Sequence, residues 1–140
     1  MPPENNAPHH LKIDVVAGVV IFKAGQILLV QERKSHAYGK WNFPGGRVEV
    51  AETIEAGAVR EAKEETGYDV ALDQALPVIH KKAGEPVLHP FAAHIIGGEL
   101  RVQKNEILAA QWFSVVDIRA MSSQLRHPPY IYESLDALSL

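Results

Sequence analysis

The chain has 140 residues, 46% of them apolar, with 14 Lys and Arg against 17 Asp and Glu and no cysteine. A chain of this length makes one domain that buries about two-thirds of its unfolded surface, and a net charge of −3 excludes a broad electrostatic attraction to nucleic-acid polymers or anionic membranes. Without a thiol there is no disulfide framework, thiolate nucleophile or zinc–thiolate centre.

The opening MPPENNAPHHLKI lacks the apolar stretch of a secretory signal, and no apolar run reaches the roughly 18 residues of a membrane span. The expected address is therefore the cytoplasm. Residues 1–10 read as a flexible lead-in to a domain over 11–140, with His9 and His10 solvated rather than ligating. From Val15 to Phe22 and again from Gln26 to Gln31 the residues are apolar and rich in β-branched side chains, broken by Lys23-Ala24-Gly25. This predicts a buried hairpin at the centre of a sheet.

Glu32 to Lys40 is polar and gathers Arg33, Lys34, His36 and Lys40. On its own it reads as a solvated loop; beside an acidic metal site its cations could meet phosphate oxygens. Tyr38 and Trp41 offer a flat face to a base, or in the case of Trp41 a core side chain. Phe43-Pro44-Gly45-Gly46 is a turn.

A helix follows. Thr53 is placed to cap it, Ala58, Val59 and Ala62 form a small-residue stripe that can lie close on a sheet, and Gly67 stops it. Gly57 weakens it by about 1 kcal/mol and implies close approach of a neighbour. Glu61, Glu64 and Glu65 stand at i, i+3 and i+4 on one face near the unfavourable C-terminal end of the dipole. Three acids so placed repel one another, a small loss that the chain either tolerates or offsets by collecting a hard divalent ion, and Mg²⁺ suits carboxylates that also face substrate phosphates.

Beyond the helix, Tyr68 to Leu72, Leu76 to Lys81 and Val87 to Ile96 read as strands, with Pro90 pushing the last towards an edge or a bulge. His80, His89 and His94 read as packed or substrate-lining residues, since carboxylate sites for Mg²⁺ rarely recruit imidazole. ILAAQWF reads as a strand, VVDIRAM as the start of a short helix, and Ile131, Leu135 and Leu138 mark an amphipathic helix after Pro128-Pro129.

Gly46, Glu52, Arg60-Glu61, Glu64-Glu65 and Gly67, at their relative spacings, match every charged and glycine position of the Nudix box. Ala62 and Tyr68 stand where that signature usually has aliphatic residues, while Arg33, Trp41 and Asn42-Phe43-Pro44 extend the likeness. The chain thus resembles the Nudix hydrolase family, in its broad MutT-type branch. The resemblance implies an α/β fold, an α/β/α sandwich with a central mixed sheet and the box as loop and helix. It implies metal ligation by Glu61, Glu64, Glu65 and the carbonyl of Gly45, with Mg²⁺ or alternatively Mn²⁺ as cofactor. Glu61, Glu64, Arg60 and Glu106 are the candidate catalytic residues. Glu61 or Glu106 would orient or deprotonate water, and Arg60 would hold a glutamate, with Glu52 its partner or an outer ligand. Arg33, Lys34, Lys40 and Trp41 are the candidate substrate contacts.

The expected reaction is metal-dependent hydrolysis of a phosphoanhydride in a nucleoside diphosphate-X compound, whether an ordinary or oxidised nucleoside triphosphate or a small pyrophosphate compound. No covalent nucleophile suggests itself, with no cysteine and no serine in a recognisable elbow. The expected partner is that small molecule, with neither a nucleic-acid polymer nor a membrane, and a homodimer is one admissible assembly. The alternative is a Nudix-fold module that binds nucleotide without cleaving it, though such a module can lose box acids that this chain retains. A purely structural domain with a solvated acidic helix would have no need of the spacing.

Overall fold

The structure is a computed structural model and describes residues 10–140; of the lead-in read at residues 1–10, residues 1–9, His9 included, lie outside them. Its elements are β1 (Val15–Lys23), β2 (Gln26–Glu32), β3 (Trp41–Asn42), β4 (Gly45–Arg47), α1 (Ile54–Thr66), β5 (Tyr68–Ala75), β6 (Val87–Gly98), β7 (Ile107–Ser114), α2 (Val115–Arg119) and α3 (Pro128–Ala137). Single 3₁₀ turns occupy Ser35–Ala37 and Ser122–Gln124.

β1 and β2 are the predicted hairpin, turned by Ala24 and Gly25 at positive φ. They pair only at Phe22 with Ile27 and Lys23 with Gln26, then part. Below the turn, β1 takes β4 antiparallel on one side and β6 parallel on the other, while β2 pairs with β7 and β3. The sheet is therefore mixed, in the order β3-β2-β1-β6-β5 with β4 on β1 and β7 on β2.

Strand side chains alternate between two buried faces. Ala17, Val19, Ile21 and Leu28 pack with Ala58 and Ala62 of α1, whereas Val20, Ile27 and Leu29 pack with Ile118 of α2 and with Ile131 and Leu135 of α3. The result is an α/β/α sandwich. The small-residue stripe behaves as predicted: Ala58 and Ala62 are fully buried.

Two strand expectations change. Leu76 to Lys81 forms no strand, and only Ile79 makes a bridge, to Leu88. β6 is interior between β1 and β5, and Pro90 is tolerated because β5 ends there. Its last pair is Ala75 with Phe91, and Leu76 then donates its N–H to the Pro90 carbonyl at 2.9 Å. The missing proline donor thus falls at the end of the β5 ladder.

Candidate active site

The site is built where β4 meets the end of α1. Thr53 Oγ1 accepts the N–H of Ala56 at 3.0 Å and starts the helix. Gly67, at φ 81°, ends it and returns its N–H to the Lys63 carbonyl. Between these caps Glu61 and Glu65 are carried against the glycine turn, and Glu64 is exposed beside Arg60.

Gly45 links the two elements: its N–H donates to Glu65 Oε1 at 2.8 Å. Along the β1–β4 ladder, Val19 N–H donates to the Pro44 carbonyl and Val48 N–H to the Val15 carbonyl. The alternation of an antiparallel pair then leaves Gly45 in a position whose N–H and C=O both point away from β1, the N–H reaching Glu65. Gly46 lies against the next acid. A Cβ there would stand 2.5 Å from Glu61 Cδ and 2.6 Å from each carboxylate oxygen, so only glycine leaves that carboxylate its place.

Arg60 occupies the other side of the acids. Its Nε and Nη2 grip Glu52 at 3.0 and 2.7 Å, and Nη1 reaches Glu61 Oε1 at 3.0 Å and Glu64 Oε2 at 3.2 Å. Nη2 also donates to the Arg47 carbonyl. This fork holds carboxylates and has no face in the cleft. Arg60 and the N–H of Glu49 hold the Glu52 carboxyl down at about 2. Val48 and Glu52 are the close neighbours that Gly57 admits, a Cβ there standing 3.1 Å from Val48 Cγ2 and 3.0 Å from Glu52 Oε1.

One guanidinium does not neutralise the group. Burial raises the pKa of Glu61, opposed by Arg60 and reinforced by the charges of Glu64 and Glu106. Burial raises that of Glu65 further, opposed by the Gly45 N–H and reinforced by Glu61, Glu32 and Glu106. Glu106 reaches this neighbourhood because Arg33 N–H donates to its carbonyl at 3.1 Å, beside the β2–β7 pairing of Glu32 with Ile107. Carboxylate oxygens in excess of nearby cations, beside a main-chain carbonyl turned away from β1, are donors that could hold a hard divalent ion. As placed, no three acidic or histidine side chains among the described residues already surround a common point.

A cleft of about 350 Å³ opens beside the acids. Gly45, Gly46, Arg47 and Glu65 line it together with Glu32, Lys34, His36, Arg126, His127 and Tyr130. Of the candidate substrate contacts, only Lys34 is in the lining. Arg33 is exposed, and its main-chain N–H is the group that engages Glu106. Lys40 Nζ donates to the Ser123 carbonyl at 2.5 Å, and Trp41 lies edge-on to Phe113 with centroids 4.9 Å apart. Both brace the loop from behind. His80, His89 and His94 are also outside the lining, His94 facing Asp73 at 2.7 Å.

Sequence reasoning passed over Glu32, Arg126, His127 and Tyr130. A charged residue ending the buried run QILLVQE was the one available signal for Glu32. The Tyr130 hydroxyl is buried over Gly18 and has no hydrogen-bond partner among the described residues. Burial raises its pKa.

A mixed sheet between helices, with a glycine turn set against glutamates at a helix end, defines an α/β protein with a carboxylate-rich cleft. The NUDIX domain family model matches residues 12–135, and the chain belongs to that family. It is 38% identical over 127 residues to a putative nudix hydrolase 1 of Caenorhabditis elegans, covering 87% of this chain and 34% of that protein. A putative 8-oxo-dGTP diphosphatase of Bacillus subtilis is 35% identical over 98 residues, covering 70% of this chain and 64% of that one. The chain thus spans about one third and just under two thirds of these relatives. A NUDIX hydrolase structure from Nitrosomonas europaea superposes with a TM-score of 0.80 at 26% identity, covering 91% of this chain and 90% of that one. No helix among the described residues is long and apolar enough to cross a membrane.

Proposed function

We propose that the chain is a divalent-metal-dependent pyrophosphohydrolase that uses water to open a phosphoanhydride bond in a nucleoside diphosphate linked to a further group. The observation that carries this reading is the setting of Glu65 against the Gly45 N–H and of Glu61 against Gly46, with Glu64 and Glu106 near enough to act on Glu61, beside a cleft lined by Gly45, Gly46, Glu65 and Lys34. The name of the Bacillus subtilis relative, a putative 8-oxo-dGTP diphosphatase, makes oxidised nucleoside triphosphates the first substrates to try.

Glu61, Glu64, Glu65 and the Gly45 carbonyl would hold Mg²⁺, or Mn²⁺ in its place. Such an ion supplies Lewis-acid polarisation of phosphate oxygens and lowers the pKa of water. The chain's own groups do the positioning. The Gly45 N–H keeps the Glu65 carboxylate turned to the turn, and Arg60 keeps Glu61 and Glu64 in register with Glu52. Glu61 or Glu106 orients the attacking water and takes its proton on a carboxylate oxygen. Lys34 steadies a phosphate oxygen from the wall.

The test is a panel of nucleoside triphosphates, oxidised nucleotides and small pyrophosphate compounds with Mg²⁺ or Mn²⁺ in ¹⁸O-labelled water. Label is expected in one phosphate product, which identifies the phosphorus attacked. Nucleotide binding without hydrolysis anywhere in the panel would make the chain a sensor module instead.

A further inference from the structure

The cleft continues into a second hollow. It shares Leu88, Arg126 and Tyr130 with a space of about 280 Å³ that is also lined by Ile79 and Pro128 and by the charged Lys81 and Glu85. Gly45 and Glu65 belong to the first hollow alone. A substrate with its phosphoanhydride beside Gly45 and Glu65 therefore has a second space, part apolar and part charged, for its distal group, with Arg126 in the lining of both.

Arg126 is paired with an acid that the motif does not include. Glu32 is 7% exposed, and Arg126 Nη1 donates to its Oε1 at 3.2 Å. Nη2 donates to His36 Nε2 at 3.0 Å, so that ring nitrogen accepts. The Arg126 main-chain N–H is held by the Trp41 carbonyl at 2.9 Å. Glu32 Oε2 and the Arg126 Nε–H make no hydrogen bond among the described residues.

Burying an ion pair is a poor way to stabilise a fold, because apolar replacements commonly do as well or better. This pair lies in the cleft wall with an acceptor and a donor to spare. Its net charge is zero. A phosphate would meet the Glu32 carboxylate as much as the guanidinium, whereas a neutral group with an N–H beside an acceptor is complementary to both. The polar edge of a nucleobase alternates in this way, and its flat faces suit the proline and aliphatic walls of the second hollow.

We propose that Glu32 and Arg126 are the specificity-determining pair for the nucleobase of the substrate, which sits where the two hollows join. This rests on the nucleotide-hydrolase reading above, and the two can fail separately.

The test is calorimetric titration of the full chain, without metal, by GMP, AMP, CMP and UMP, with ribose 5-phosphate as the base-free control. Wild-type affinities are expected to differ by about tenfold across the bases. The near-isosteric variants E32Q and R126K should shrink that spread to about twofold while ribose 5-phosphate binding changes less than the nucleotides do. In the wild type, needing no variant, the Arg126 Nε–H resonance should shift with a preferred nucleotide and not with ribose 5-phosphate. Equal affinities for the four bases, no binding of any of them, or an undiminished spread in folded variants overturns the proposal and leaves the pair as a tie between two segments. Turnover without base-dependent binding defeats this proposal alone, and base-dependent binding without turnover defeats only the hydrolase reading.

Discussion

The N–H of Gly45 and the carboxylate of Glu65 meet at 2.8 Å across 20 residues of chain, so a strand-like turn and the last turn of a helix form one unit. The bond supplies part of what a buried carboxylate needs. It leaves a charge whose pKa remains well above its usual value, because burial and the neighbouring acids outweigh one donor.

Replacing Glu65 by Gln keeps an oxygen to accept from Gly45 and removes the buried charge. Without metal, the melting temperature of the variant should rise, since repulsion from Glu61, Glu32 and Glu106 is relieved. With Mg²⁺, kcat should fall by more than about 100-fold, beyond the 10- to 100-fold typical of residues standing behind ligands. Wild-type turnover in the variant would remove Glu65 from the ligand set.

The two glycines should respond to alanine in opposite ways. At Gly46 the new Cβ meets the end of the Glu61 side chain, which can swing aside. Stability should hold while activity falls by about 100-fold, as for a catalytic group displaced by an ångström. At Gly45 the Cβ would stand 2.7 Å from Gly18 Cα and against the Ala17 carbonyl. Backbone cannot yield so readily, and denaturation should show a loss of about 1–3 kcal/mol or more.

Arg60 and Glu52 make an acid-sensitive tie. The Glu52 carboxyl is held at about 2 in the folded chain against an ordinary 4.5, first by Arg60 and then by the Glu49 N–H. The unfolded chain therefore takes up this proton at higher pH than the folded one. The stabilisation is fully present above about 4.5 and disappears as the pH falls towards 2. Melting curves of the wild type and E52Q should be well separated at neutral pH and converge across that window; a gap that does not change with pH would show that the charge contributes nothing.

Lys34 is exposed on the cleft wall. If it steadies phosphate equally before and during reaction, K34Q should raise KM by about three- to tenfold with little change in kcat. Added salt should shrink the difference, because exposed charges are screened. Steady-state kinetics at two ionic strengths would measure both effects.

Spacing along the chain was sufficient for what depends on neighbours in sequence. The alternation of Ala17, Val19 and Ile21 against Val20, the cap at Thr53, the stop at Gly67 and the acids at i, i+3 and i+4 are set by the periods of strand and helix. Tertiary packing decided the rest. It ended β5 beside Pro90, so that a strand read as an edge or a bulge became interior, and it set Lys40 on Ser123 and Trp41 on Phe113. It also set Arg126 on Glu32 across 94 residues. Such contacts follow from sheet register and the docking of α3, which no local period encodes, because each depends on how the whole chain closes its two faces.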